Sequence, residues 1–288
     1  MKNVITRLLM FSVGVPGLIG AVLLLPNHFH LPFNLLVVAV AGISARELAE
    51  ILAARPNSYR LRASAAMALG MALPAATLVA LFVGNSLIVV PASLTTLAAV
   101  LLGFQGFRRQ EPGFKRIIPA VGTSFFLLIY PGLFASYIVM LSTLPFSTAI
   151  ILLFLATVYL NDSLAYVIGM LFGKRNQQLV PISPNKSLEG FIGGFVTSIV
   201  AVVVVGYFCP QLLPGAVWRR VVLGAAVGGA AIIGDLAESA LKRSALVKDS
   251  GELIPGRGGL LDSVDSPVFS AFVFYYLYPM LFFTQANI

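Results

Sequence analysis

Charged side chains are scarce in this chain: Asp, Glu, Lys and Arg make up only 10% of its 288 residues, whereas an ordinary soluble domain carries roughly a quarter. Apolar residues make up 58%, and the mean hydropathy is +0.94. These values exclude an ordinary soluble domain and indicate a polytopic membrane protein. Cysteine is almost absent as well, and the lone Cys209 excludes an internal disulfide and a cysteine metal cluster.

Long apolar runs, in contrast, are abundant. A bilayer core of about 30 Å needs about 20 helical residues, so the runs predict an all-α protein with about nine transmembrane helices. The predicted spans are residues 8–26, 32–53, 64–82, 87–104, 117–140, 147–172, 190–209, 221–241 and 266–284. The two histidines, His28 and His30, fall in a predicted external loop, and the sequence gives them no role.

The basic residues lie mainly in the predicted loops on one side of the membrane. The formal net charge is +8, which in a soluble protein would suggest a nucleic-acid partner. With the amino terminus in the cytosol, every Lys and Arg except Arg46, Arg219 and Arg220 falls on the cytosolic side, as the positive-inside rule requires. We therefore predict a cytosolic amino terminus, no nucleic-acid partner and, by default, a multi-pass location in a bacterial inner (plasma) membrane.

The acidic residues divide the chain into two parts. Only Glu47, Glu50 and Glu111 precede residue 150, and the others lie between Asp162 and Asp265. We therefore predict that residues 1–146 form a scaffold of transmembrane helices. Residues 147–288 are predicted to carry the catalytic site.

Polar groups interrupt two of the apolar helices. Asp235, Glu238, Ser239 and Lys242 follow the i, i+3, i+4, i+7 spacing that places them on one helical face. At about 1.5 Å per residue, Asp235 lies about 10 Å below the cytosolic end of its helix. A second interruption, Asn161 and Asp162, lies at mid-depth of another predicted span. A charge at membrane depth is expensive and usually functional, although a structural hydrogen-bonded pair is the alternative for each.

The loop at residues 242–265 combines glycine, acidic and basic residues, and its glycines beside Pro255 predict irregular backbone. If the loop folds back, Asp262 and Asp235 would together offer oxygen ligands for Mg²⁺. The backbone N–H groups of Gly258 and Gly259 would approach phosphate oxygens. A solvated, positive-inside loop is the alternative. The basic groups that would neutralise a polyphosphate are Lys242, Arg243, Lys248 and Arg257.

The segment SPNKSLEG, residues 183–190, precedes the seventh predicted span. One interpretation makes Ser187 the N-cap of that helix, with Glu189 in its first turn. The other assigns Lys186 and Ser187 to phosphate binding, because a helix N-terminus attracts anions. The sequence leaves both open.

Four motifs, in order along the chain, resemble those of the phosphatidate cytidylyltransferases, also called CDP-diacylglycerol synthases. The upstream motifs are N-D-x-x-A-Y-x-x-G and S-P-x-K-S-x-E-G, at Asn161, Asp162, Ala165, Tyr166 and Gly169 and at residues 183–190. The downstream motifs are S-x-x-K-R-x-x-x-x-K-D and P-G-x-G-G-x-x-D with a final D, at Ser239, Lys242, Arg243, Lys248, Asp249, Pro255, Gly256, Gly258, Gly259, Asp262 and Asp265.

This resemblance implies transfer of CMP from CTP to phosphatidate, which gives CDP-diacylglycerol and pyrophosphate for phospholipid biosynthesis, at a cavity open to the cytosol. It implies Mg²⁺ as cofactor, K⁺ as a further candidate ion, and a homodimer. We predict Asp235 and Asp262 as catalytic metal ligands, and further catalytic roles for Lys242, Lys248 and Asp249. The predicted substrate contacts are Arg243, Arg257, Lys186, Ser187, Asn161, Asp162, Ser239, Gly258 and Gly259.

Two positions depart from the family pattern. The family usually has His where this chain has Arg257, and Arg where it has Ser263. We hypothesise that Arg257 takes over a phosphate contact, and an unchanged activity of Arg257→Ala would count against this. The alternative functions are a CTP-dependent lipid or polyprenol kinase, an ion-coupled transporter, and a non-catalytic scaffold of the same fold.

Overall fold

The computed structural model describes residues 2–54, 58–84, 86–107, 117–173, 183, 186–254 and 258–283. Within these ranges the chain is helical and contains no β-strand. The α-helices are α1 (Lys2–Leu23), α2 (Leu31–Ala53), α3 (Ala63–Val83), α4 (Ser86–Phe107), α5 (Ile117–Leu127), α6 (Phe134–Met140), α7 (Ser147–Phe172), α8 (Leu188–Phe208), α9 (Val217–Ser244) and α10 (Leu261–Phe282).

Several helices have the dimensions of membrane spans. In the part of the chain that the structure describes, five segments are long and apolar enough to cross a bilayer: Ala63–Val83, Ile117–Thr143, Ser147–Phe172, Leu188–Phe208 and Val217–Ser244. In the second of these, α5 and α6 are joined by a π-helical segment, Leu128–Leu133, that contains Pro131. The prediction of an all-α membrane protein is therefore confirmed.

The chain forms two compact units, each containing segments that are distant in sequence. The amino-terminal unit comprises Met1–Met140 and Ser244–Ser263, and the carboxy-terminal unit comprises Leu141–Arg243 and Val264–Ile288. The glycine-containing loop after α9 therefore belongs with the amino-terminal helices. This structural partition does not test the predicted functional boundary between residues 146 and 147.

In the amino-terminal unit, α3 approaches α2 closely at Gly70. A Cβ atom at this position would overlap the Ala45 side chain and lie 2.5 Å from the carbonyl oxygen of Ala41. Because a backbone oxygen cannot move aside cheaply, any side chain at residue 70 forces the two helices apart. Small residues permit such close helix packing in membranes.

We expect Gly70→Ala to lower the free energy of unfolding by about 1–3 kcal/mol, the usual cost of overpacking. The measurement is the thermal unfolding midpoint of the purified protein in detergent. Gly122→Ala is the matched control, since a Cβ atom at Gly122 has nothing within 4 Å. Equal midpoints for the two variants would contradict the close approach of α3 to α2.

In the carboxy-terminal unit, the glycines of α9 pack against α8. A Cβ atom at Gly224 would lie 2.6 Å from the Ile199 Cα atom, and one at Gly228 would lie 2.7 Å from the Ser198 Cβ atom. Close helix packing therefore accounts for these two glycines.

Arg219 and Arg220, which depart from the positive-inside pattern, make structural contacts in the same unit. The Arg220 side chain is buried, and its Nε atom donates to the Leu213 carbonyl oxygen at 3.0 Å. Arg219 donates from Nη1 to the Leu281 carbonyl oxygen at 2.9 Å. Both guanidinium groups thus donate to backbone carbonyl oxygens, one in the connection between α8 and α9 and one near the end of α10, which gives a physical reason for their position.

Candidate active site

Asp235 of α9 is paired with Lys186, which lies just before α8. The Lys186 ammonium donates to the Asp235 Oδ2 atom, and the two side chains are 31% and 30% exposed. The cost of partly burying a carboxylate in an apolar helix is offset by the neighbouring positive charge. The structure thus brings together two predicted site residues from separate segments, the SPNKSLEG motif and the polar stripe of α9.

The polar stripe predicted on α9 contains a second ion pair. Glu238 is 1% exposed and pairs with Lys242 one turn later. Ser239 is buried beside them. Lys242 is therefore held by a buried carboxylate of its own helix, which fixes the position of its charge.

Two more carboxylates in this unit contact Ser266 of α10. The Ser266 hydroxyl donates to Asp162 Oδ1 at 3.3 Å, and the Ser266 backbone N–H donates to Asp265 Oδ1 at 2.8 Å. Asp265 is buried, and the carboxyl groups of Asp235, Glu238 and Asp162 lie near enough to interact with it electrostatically. The carboxy-terminal unit therefore gathers acidic groups in one region, together with Lys186 and Lys242.

Ser187 is the N-cap of α8. Its hydroxyl accepts a hydrogen bond from the Gly190 backbone N–H at 3.1 Å, and Glu189 lies in the first turn. The first of the two interpretations of SPNKSLEG is thus confirmed. The cap is closely surrounded, because a Cβ atom at Gly173 would overlap the Ser187 side chain. Phosphate binding by Lys186 and Ser187 stays a prediction.

Asn161, predicted as a substrate contact, lies at the packing centre of three helices. It is 1% exposed, and its Nδ2 atom donates to Ser198 Oγ of α8 at 2.8 Å and to the Gly228 carbonyl oxygen of α9 at 3.3 Å. A buried amide with these partners stabilises the packing of α7, α8 and α9. Its role in substrate binding stays a prediction.

In the amino-terminal unit, the Asp262 carboxylate is held by three donors on one oxygen. Its Oδ2 atom accepts from the Gly259 N–H at 2.7 Å, the Ser250 N–H at 2.9 Å and the Ser250 hydroxyl at 3.0 Å. These bonds fix the orientation of the carboxylate. The Asp262 side chain is thus presented on an ordered turn.

Glu47 of α2, which is not among the residues predicted for the site, binds the same turn. Glu47 is 6% exposed; its Oε1 atom accepts from the Leu260 N–H at 2.9 Å, and its Oε2 atom accepts from the Leu261 N–H at 2.8 Å. The Ser250 hydroxyl lies 3.1 Å from Oε2. An acidic residue within an apolar helix was the available signal, and it is the same signal that identified Asp235.

The remaining residues of the predicted site lie in the last turn of α9 and along the loop that follows it. Arg243, Lys248 and Asp249 are exposed. The Gly258 N–H donates to the Ile254 carbonyl oxygen at 3.1 Å, and the Gly259 N–H donates to Asp262, so both N–H groups are used within the loop. Arg257 lies outside the described residues. Substrate contacts by these residues stay predictions.

Within the described residues, no three His, Cys, Asp or Glu side chains are grouped closely enough to hold a metal ion. Asp235 belongs to the carboxy-terminal unit and Asp262 to the amino-terminal unit. A shared metal ion therefore stays a prediction.

A protein-family model matches the chain over almost its whole length. The model of the cytidylyltransferase family matches residues 5–281. A phosphatidate cytidylyltransferase of Haemophilus influenzae is 43% identical over 128 residues, which are 42% of this chain and 44% of that protein. A phosphatidate cytidylyltransferase of Staphylococcus haemolyticus is 42% identical over 112 residues, 39% of this chain and 42% of that protein.

An uncharacterised Escherichia coli protein, YnbB, is 36% identical over 167 residues, which are 57% of this chain and 54% of that protein. The chain thus spans about half the length of the curated relatives that it matches.

Proposed function

Because the chain belongs to the cytidylyltransferase family, we propose that it transfers CMP from CTP to phosphatidate, forming CDP-diacylglycerol and pyrophosphate for phospholipid biosynthesis. The observation that carries this proposal is the family match over residues 5–281, together with relatives named phosphatidate cytidylyltransferase. The ordered motifs between residues 161 and 265 support the same activity.

The proposal includes a location and a membrane topology. The chain crosses a bacterial inner (plasma) membrane about nine times, with its amino terminus and active site on the cytosolic side, and it forms a homodimer. The distribution of Lys and Arg along the sequence supports this orientation. Residues 147–288 supply most of the catalytic groups, and residues 1–146 form the scaffold.

The cofactor that we propose is Mg²⁺, held by Asp235 and Asp262, with K⁺ as a further candidate ion. Both side chains are carboxylates, the kind of oxygen ligand that a hard cation prefers. Hydrogen bonds to Oδ2 orient Asp262, and the Lys186 ammonium that pairs with Asp235 would give way to the metal ion. Mg²⁺ is typically held by one or two carboxylates, with water and substrate phosphates as further ligands. When bound, it would neutralise charge on the phosphates of CTP.

The residues of the chain position the two substrates and neutralise charge. An oxygen of the phosphatidate phosphate attacks the α-phosphorus of CTP, the bond from that phosphorus to the bridging oxygen breaks, and pyrophosphate leaves. No covalent enzyme intermediate is needed, so catalysis rests on positioning and electrostatic stabilisation. The positive charges available for the leaving pyrophosphate are those of Lys242, Lys248 and Arg243, with Arg257 as a further phosphate contact.

The polar groups around these cations have supporting roles in the proposal. Glu238 fixes Lys242, and Asp249 and Ser239 lie beside the basic residues in the motif. Lys186 and Ser187 contact a nucleotide or lipid phosphate, and Asn161 and Asp162 form the cavity wall. Lys186 would contribute its charge to phosphate once a metal ion neutralises Asp235.

The decisive experiment incubates the purified protein in detergent with radiolabelled CTP, phosphatidate and Mg²⁺, and then separates the products. We expect labelled CDP-diacylglycerol and one pyrophosphate per turnover. Formation of CDP and a phosphorylated lipid would instead indicate a CTP-dependent kinase. Absence of turnover by well-folded protein would favour a non-catalytic scaffold or a transporter.

A further inference from the structure

Glu47 has no part in the proposed reaction, yet its buried carboxylate accepts two backbone hydrogen bonds and lies within hydrogen-bond distance of the Ser250 hydroxyl. It comes from α2, more than 200 residues before its partners, which lie at the start of α10. A buried carboxylate is retained only where charge-assisted hydrogen bonds offset the loss of hydration. The identity of its partners therefore indicates its role.

Those partners are the backbone groups that place Asp262. The N–H groups of Leu260 and Leu261, just before and at the first residue of α10, donate to the two Glu47 oxygens. The preceding N–H, that of Gly259, donates to Asp262 itself. Three successive N–H groups at the helix start are thus satisfied by two carboxylates, which also suit the positive end of the helix dipole.

Ser250 joins the two carboxylates directly. Its hydroxyl oxygen lies 3.1 Å from Glu47 Oε2 and 3.0 Å from Asp262 Oδ2. A hydroxyl carries one proton and donates it to one acceptor at a time, so the two carboxylates compete for the same donor. Any displacement of Glu47 is therefore transmitted to Asp262 through Ser250 as well as through the backbone.

We propose that Glu47 is a positioning residue that locks the loop after α9 against α2 and so sets the orientation of the Asp262 carboxylate toward a divalent cation. This inference rests on the proposed function for the reaction and for the divalent cation at Asp262. The lock itself is a property of the amino-terminal unit.

The chemistry of the carboxylate predicts the effect of Glu47→Gln. A glutamine of the same size has one oxygen and one NH₂ group, whereas the N–H groups of Leu260 and Leu261 both require an acceptor. In either amide orientation, one of these N–H groups faces the NH₂ group, and a hydrogen bond becomes a contact between two donors. The start of α10 therefore loosens even though the shape of the side chain is kept.

The first readout needs no catalysis. It is hydrogen exchange of the full-length protein in detergent, followed by mass spectrometry of peptides that include residues 258–263. We expect the amide of Leu260 or Leu261 to exchange about tenfold faster in Glu47→Gln than in the intact chain, because a charge-assisted hydrogen bond is lost. The second readout is Mn²⁺ binding, measured by electron paramagnetic resonance of the free ion. We expect its dissociation constant to rise about 10- to 100-fold, as for other outer-shell partners of metal ligands.

Glu50→Gln is the matched control. It makes the same chemical change on α2, at an exposed side chain that pairs with Arg46, and it should change neither readout. Ser250→Ala is a second variant that removes the joining hydroxyl, and it should also weaken Mn²⁺ binding. If Glu47→Gln does not fold, Ser250→Ala still tests the positioning role.

The outcomes separate this inference from the proposed function. Mn²⁺ binding or local exchange that is unchanged in Glu47→Gln, relative to the intact chain, would overturn the positioning role. A folding failure of Glu47→Gln combined with normal Mn²⁺ binding by Ser250→Ala would also overturn it. If the intact chain binds Mn²⁺ and Glu47→Gln weakens this binding, but no CDP-diacylglycerol forms from CTP and phosphatidate, the proposed reaction fails while the positioning role stands.

Discussion

Replacing Asp262 or Asp235 by Asn should lower the rate of CDP-diacylglycerol formation on the order of a thousandfold, because each change removes a negative charge that the proposed metal site requires. Asn keeps the size of the side chain, so the loss would be chemical. In Asp262→Asn, the NH₂ group must also avoid the three donors that surround Oδ2. The measurement is the initial rate with radiolabelled CTP at saturating phosphatidate.

The control for these variants is Glu252→Gln, which removes an exposed carboxylate from the same loop. It should retain nearly the full rate. Raising the Mg²⁺ concentration should recover part of the activity of each Asp variant if metal affinity is what was lost. Equal rates for the intact chain and both Asp variants would remove the assignment of the metal ligands.

Gly259→Ala should lower the activity about a hundredfold and the free energy of unfolding by about 1–3 kcal/mol. The added Cβ atom would overlap the Ser250 hydroxyl and lie 2.5 Å from Glu47 Oε2. Neither side chain can move aside without losing a hydrogen bond, because Ser250 is bonded to Asp262 and Glu47 is bonded to the start of α10. The turn must therefore open and release Asp262.

Thermal unfolding and initial rates, measured on the same preparation, test this expectation. Gly103→Ala is the control, because a Cβ atom at Gly103 has nothing within 4 Å. A fully active Gly259→Ala would show that the close packing of Glu47, Ser250 and Gly259 is unnecessary for turnover.

Much of the fold was predictable because the bilayer simplifies the physical problem. An apolar run of about 20 residues becomes a helix in lipid, since every backbone polar group must be satisfied internally. Local rules also succeeded within helices. The N-cap at Ser187 follows from a short side chain that accepts from the N–H three residues later, and the Glu238–Lys242 pair follows from helical spacing.

The contacts between distant segments were not predictable in the same way. Nothing in the residues around Glu47 indicates that its acceptors face N–H groups more than 200 positions later. Asn161 illustrates a related difficulty: a polar residue in an apolar helix signals a buried partner, but the pattern does not distinguish a substrate from a neighbouring helix. The partner here is the backbone of α9 and Ser198 of α8.

The glycines of the loop show that composition alone does not reveal why a glycine is needed at a given position. Their presence beside basic residues suggested N–H groups approaching phosphate. In the structure, the Gly259 N–H is bonded to Asp262, and the absent side chain makes room for Glu47 and Ser250. The same glycine therefore has a reason in the packing of the turn, independent of any bound nucleotide.

The late arrival of residues 244–263 in the amino-terminal unit bears on how the protein is made. A ribosome adds about 5–20 residues per second, so roughly 10 to 40 s separate the synthesis of Glu47 from that of Leu261. Throughout this interval the newly made amino-terminal helices carry the Glu47 carboxylate before its hydrogen-bond donors, the N–H groups of Leu260 and Leu261, have been synthesised. The first unit to emerge is therefore completed only after most of the second unit has been made, and truncated chains would leave that acid to water, lipid headgroups or the insertion machinery.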